Sequence, residues 1–100
     1  MTDEAKKKRN FRATSKWKNW RKYMKKKHKT DDITGRPLYK GFQVHHLDMR
    51  AENYEDLRED KFATLNKQTH DVLHWLFRYD NWRQILYNLS KMLTEMEKYK

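Results

Sequence analysis

The sequence predicts an α+β domain: two short strands and a helix, preceded by a basic helix and followed by an amphipathic one. Three observations predict it. Trp17, Trp20 and Met24 recur at helical spacing inside a lysine-rich stretch. Residues 42–46 and 61–65 are runs of strand length, separated by a polar segment. Trp82, Ile85, Leu86, Leu89, Leu93 and Met96 form a second, longer stripe at helical spacing.

Taken in order, residues 1–12 read as a polar, mobile arm without apolar periodicity. A helix is expected over residues 14–27, with Thr14 or Ser15 accepting hydrogen bonds from its first free N–H groups. Trp17, Trp20 and Met24 are read as core, and Lys16, Lys18, Arg21, Lys22 and Lys25 cover the remaining surface of that helix. Residues 30–37 are turn-rich, with Gly35 and Pro37 in a chain that has two glycines and one proline. Residues 42–46 read as a strand, 47–60 as a long acidic loop and 61–65 as a second strand. Thr69 is expected to cap a helix carrying His70, Leu73, His74, Leu76 and Phe77. A last helix is expected to follow Asp80 or Asn81. The organisation is therefore a basic arm and helix over 1–30, a core over 31–79 and a C-terminal amphipathic helix over 80–100.

One hundred residues suit one small domain. Such a chain buries proportionally little surface, so marginal stability without a metal or partner is expected. Aromatic side chains make up 14% of the chain and supply much of the area it can bury. With no cysteine, disulfides and thiolate zinc sites are excluded, and a reducing compartment is permitted. No apolar run has the length of a membrane span and the first residues lack a signal-peptide pattern, so a cytoplasmic protein without membrane contact is expected.

The net charge of +10 is unevenly distributed. Residues 1–30 carry thirteen Lys/Arg against two Asp/Glu, whereas residues 31–100 carry eleven against twelve. A basic segment of this kind is an electrostatic footprint for a polyanion, most often nucleic acid. Arg36, Arg50, Lys67 and Arg78 add cations near the central segment. Glu52, Glu55, Asp56, Glu59 and Asp60 read as a solvated acidic surface, and His28 as part of a solvated basic run.

Four of the five histidines fall in one constellation: His45-His46 on a strand, then His70 and His74 four residues apart on a helix. The helical pair shares one face. Two imidazoles from the helix and a third from the strand suit a transition metal, leaving one strand histidine as a base. That combination points to metal-assisted hydrolysis. Three imidazoles favour Zn, Ni, Co or Mn over Mg, which prefers oxygen ligands.

The order strand with His-His, loop, strand, helix with His-x3-His resembles the HNH endonuclease family, over roughly residues 31–76. The phrases Ile33-Thr34-Gly35, Val44-His45-His46-Leu47-Asp48 and Leu65-Asn66-Lys67-Gln68-Thr69-His70 are similar to small HNH proteins of bacteriophages. The resemblance implies a ββα-metal core, with His45, His70 and His74 as metal ligands and His46 as the general base that activates water. It implies DNA as substrate, and a phage origin would place the protein in the host cytoplasm, alone or in a larger nuclease or packaging complex. A monomer or weak dimer is expected.

The sequence departs from the family pattern twice. Lys61 stands at the spacing of the central Asn. Lysine donates hydrogen bonds but accepts none, so Asn53 or Asn66 becomes the candidate to supply the amide. Asp48 is read as a loop cap or an orienting group for a histidine. The family's Cys-x2-Cys zinc knuckles correspond to Asp31 and Thr34, then Asn66 and Thr69, so a hydrogen-bonded pair of turns is expected where the family has a structural zinc. Lys61 also opens a second reading: a catalytically degenerate HNH protein that binds DNA or partners a nuclease as a regulator or inhibitor.

Overall fold

A computed structural model describes residues 2–100. The class is α+β, with four α-helices and one two-stranded antiparallel sheet among the described residues. The elements are α1 (Asp3–Arg12), α2 (Ser15–Lys27), β1 (Gln43–His46), β2 (Phe62–Leu65), α3 (Lys67–Phe77) and α4 (Trp82–Glu97). Short 3-10 turns lie at Ala51–Asn53 and Glu59–Lys61. Residues 1–70 form one compact unit and 71–100 a second, and the dividing point falls inside the continuous helix α3.

In the first unit, residues 3–12 are helical rather than a mobile arm. The reason is local and electrostatic, with one apolar anchor. The Thr2 hydroxyl accepts from Ala5 N–H, Asp3 and Glu4 face the positive helix end, and Arg9 and Arg12 lie in the last turn. Phe11 then buries its ring against Trp17 and Tyr54. Helix α2 begins where expected, with the Thr14 hydroxyl accepting from Trp17 N–H at 3.2 Å. Trp17 and Met24 are buried, and Trp20 packs beside them.

The hairpin register is Gln43 opposite Leu65, Val44 opposite Thr64, His45 opposite Ala63 and His46 opposite Phe62. Side chains alternate along a strand, so Val44, His46, Phe62 and Thr64 share one face and His45, Ala63 and Leu65 share the other. The first face joins Phe11, Trp17, Met24, Phe42 and Tyr54 in the core. Lys61 closes the neck of the long connection through its main chain, its carbonyl accepting from Leu47 N–H at 2.9 Å. The acids of that connection are largely paired: Arg58 meets Asp56 at 2.7 Å, and Glu59 receives Tyr23 Oη–H, Lys27 Nζ and His28. His28 is thus held at 3.4 Å from Glu59 rather than sitting in a freely solvated run.

Helix α3 starts at Lys67, not after Thr69. Asn66 precedes it, and the Asn66 carbonyl accepts from His70 N–H at 2.9 Å. Thr69 falls inside the first turn because Asp31, far away in sequence, accepts from Asn66 N–H at 2.9 Å and sets the helix start there. In the second unit, α3 continues to Phe77 and Trp75 meets Tyr79 edge-on at 5.4 Å. Helix α4 follows Asn81 and carries its apolar stripe as expected, but no residue of 71–100 is buried. No helix among the described residues is long and apolar enough to cross a membrane.

Candidate metal centre

The two strand histidines face opposite ways, as the alternation of a strand requires. His45 points from the Leu65 face of the hairpin, where its ring meets that of His70 edge-on at 5.1 Å. His74 follows one turn along the same helix, so the helix itself carries it beside His70. One ring nitrogen from each of His45, His70 and His74 lies within 4.8 Å of the other two, and all three residues are half-buried. Tetrahedral imidazole nitrogens on a zinc-sized ion sit about 3.3 Å apart, a spacing that small ring rotations would reach. The donor set fits a borderline transition metal.

His46 lies on the other face of the sheet. It is 6% exposed, stacked on Tyr54 at 3.8 Å and on Trp17 at 5.1 Å, with Phe62 at 4.6 Å. Its Nε2 is 2.8 Å from the Tyr54 carbonyl. A carbonyl only accepts, so Nε2 carries the proton and Nδ1 keeps the lone pair. Burial pushes the His46 imidazole below the usual histidine range, with Arg12 and Lys8 acting the same way, while the Tyr54 carbonyl and Asp48 oppose them. The neutral ring is therefore favoured.

The amide of Asn53 reaches Asp48 Oδ2 at 3.0 Å, not His46. Asp48 also accepts from Arg50 Nε and Nη2, both at 2.9 Å, which together with Asn53 holds its carboxyl below the usual range. Asp48 thus organises the loop end. Tyr54 is the residue that sequence reasoning passed over; the available signal was a lone aromatic inside an acidic connection.

Asp31, Thr34, Asn66 and Thr69 come together as one hydrogen-bonded knot. Asp31 is 1% exposed. Its Oδ1 accepts from Ile33 and Thr34 N–H at 2.8 and 2.9 Å, its Oδ2 accepts from Asn66 N–H at 2.9 Å, and the Thr69 hydroxyl also favours the charged carboxyl. Burial pushes the carboxyl up, but these donors outweigh it and hold it at about 2. Asn66 uses its whole side chain here, donating to the Pro37 carbonyl at 3.0 Å and accepting from Tyr39 N–H at 2.8 Å. The knot fixes the start of α3, and so His70, against the turn at residues 31–37.

The cations divide into three groups. Arg21 is engaged with Phe42, its guanidinium 4.0 Å from the ring centre and donating to the Phe42 carbonyl at 2.7 Å, while Lys25 lies 5.3 Å over the same ring. Lys16, Lys18 and Lys22 are exposed on α2, and Lys6, Lys7 and Arg9 on α1. Arg36, Lys40 and Lys67 line a cleft of about 530 Å³ beside the knot. No family model, no curated protein and no solved structure matches the chain.

Proposed function

We propose that this protein is a metal-dependent endonuclease of the HNH type that nicks or cuts DNA, with His45, His70 and His74 holding one transition metal. The observation that carries the proposal is the convergence of three imidazoles from β1 and α3. A bound divalent metal would supply Lewis-acid stabilisation of charge on the scissile phosphate and the leaving 3′ oxygen. In this reading Nδ1 of His46 is the proton-accepting atom and the Tyr54 carbonyl holds the opposite nitrogen, with the ring facing away from the three-imidazole cluster. The main-chain tie at Lys61 supports the loop that the motif Asn secures in the family. Exposed lysines of α1 and α2 hold the phosphate backbone without reading sequence.

The burial of His46 favours a second reading. A ring 6% exposed between Trp17 and Tyr54 suits a core histidine of a protein that binds DNA, or a nuclease, without cutting. Nicking of supercoiled plasmid separates the two. Metal-stripped protein is resupplied with Zn, Ni, Co, Mn or Mg, beside His46→Ala and His70→Ala. Metal-dependent nicking that both substitutions abolish supports the nuclease. Retained DNA binding with no nicking under any metal supports the binding module.

A further inference from the structure

We propose that α4 pairs antiparallel with α4 of a second copy of this chain, making the protein a two-fold dimer. This inference is independent of the nuclease reading. The starting observation is apolar area without cover. Leu89 is 41% exposed, Leu86 49%, Leu93 61%, Met96 64% and Met92 67%, on a helix whose Trp82 and Ile85 are only half-buried. These residues occupy one face over about 21 Å of helix, a continuous seam rather than scattered surface hydrophobics.

Charge identifies the occupant. Residues 82–97 carry Arg83 and Lys91 against Glu95 and Glu97, so the helix is neutral in a chain of net charge +10. A neutral seam lets two strongly basic chains meet without like-charge repulsion along the contact. Arg83 and Glu97 are two heptads apart on the same flank of the stripe, at opposite ends of the helix. A two-fold contact must match each residue with its partner reciprocally. Antiparallel pairing centred near Leu89 and Ser90 sets Arg83 against Glu97 of the second copy at both ends. It also brings Trp82 near Met96, Ile85 near Leu93, and Leu89 near its own copy. Parallel pairing would instead place Arg83 against Arg83 and Glu97 against Glu97, which is repulsive. The charge pattern therefore selects both a self-partner and a direction.

Sedimentation equilibrium of the full chain at physiological salt, over a range of loading concentrations, tests this. The wild type is expected to move from monomer to dimer as concentration rises. Leu89→Asp is expected to lose the dimer, with circular dichroism checking that α4 still forms. Arg83→Glu and Glu97→Arg are each expected to weaken dimerisation by about tenfold, since each replaces two attractive pairs with repulsive ones. The double substitution Arg83→Glu/Glu97→Arg is expected to restore it, because the pairs reform with signs exchanged. A wild-type monomer at every concentration, as when α4 covers its stripe within its own chain, overturns the proposal. A dimer that survives Leu89→Asp, or a double variant that stays weak, overturns it as well.

Discussion

Asp31 ties distant parts of the chain together, because three backbone donors converge on one buried carboxylate. Asp31→Ala leaves those donors without an acceptor and is expected to cost about 3 kcal/mol in urea unfolding. The carboxyl is held at about 2, below its ordinary 3.8. Its stabilisation is complete above pH 3.8 and is lost as pH falls through 2, a contribution of about 2 kcal/mol. Asp31→Asn does not titrate, so the fall in stability across that window should be smaller in this variant, with Asp48 and Glu59 supplying the remainder. His46 acts at higher pH with the same sign. Its folded-state value lies below 6.5, so stability falls as pH drops below 6.5 and the buried ring is forced to charge. His46→Phe keeps an aromatic ring in the box and should remove that part of the pH dependence, measured by urea unfolding between pH 7 and 5.

At the scale of elements, α3 is the part that brings the site together. Its start is tied to Asp31, and its first and second turns present His70 and His74. Inserting one alanine between Val72 and Leu73 rotates His74 by about 100° relative to His70, and is expected to abolish tight metal binding while leaving the His45–His70 contact in place. Helix α1 depends on a single apolar anchor, so Phe11→Ala is expected to cost about 3 kcal/mol and to loosen the Trp17–Tyr54 box around His46. Helix α2, the hairpin and α4 were legible in the sequence because each repeats its period over several residues. Helix α1 was not, since one Phe among nine polar or small residues carries no periodicity. The start of α3 was misread because Asn66 and Thr69 are both cap-forming residue types, and the choice between them is made by Asp31, 35 residues from Asn66. The helical pair His70 and His74 followed from spacing, and the choice of His45 as the third member from the family resemblance. The aromatic enclosure of His46 did not, because Trp17 and Tyr54 reach it from elements that no local pattern connects.

Across the whole molecule, the first 30 residues hold a charge of +11 and the rest −1, so binding to a polyanion should be governed by counterion release. Anisotropy titrations with labelled duplex DNA are expected to show affinity falling on the order of a hundredfold between 50 and 200 mM salt. Replacing Lys16, Lys18 and Lys22 with Gln should reduce that slope; an unchanged slope would place the contact elsewhere. The most direct test of the central claim is calorimetric titration of the metal-stripped chain with Zn or Co, comparing the wild type with His45→Ala, His46→Ala, His70→Ala and His74→Ala. The account predicts one metal per chain, tight binding lost in the His45, His70 and His74 variants, and binding retained in His46→Ala, because His46 faces the opposite side of the hairpin. Absence of stoichiometric binding by the wild type, or binding that survives His70→Ala, would contradict it.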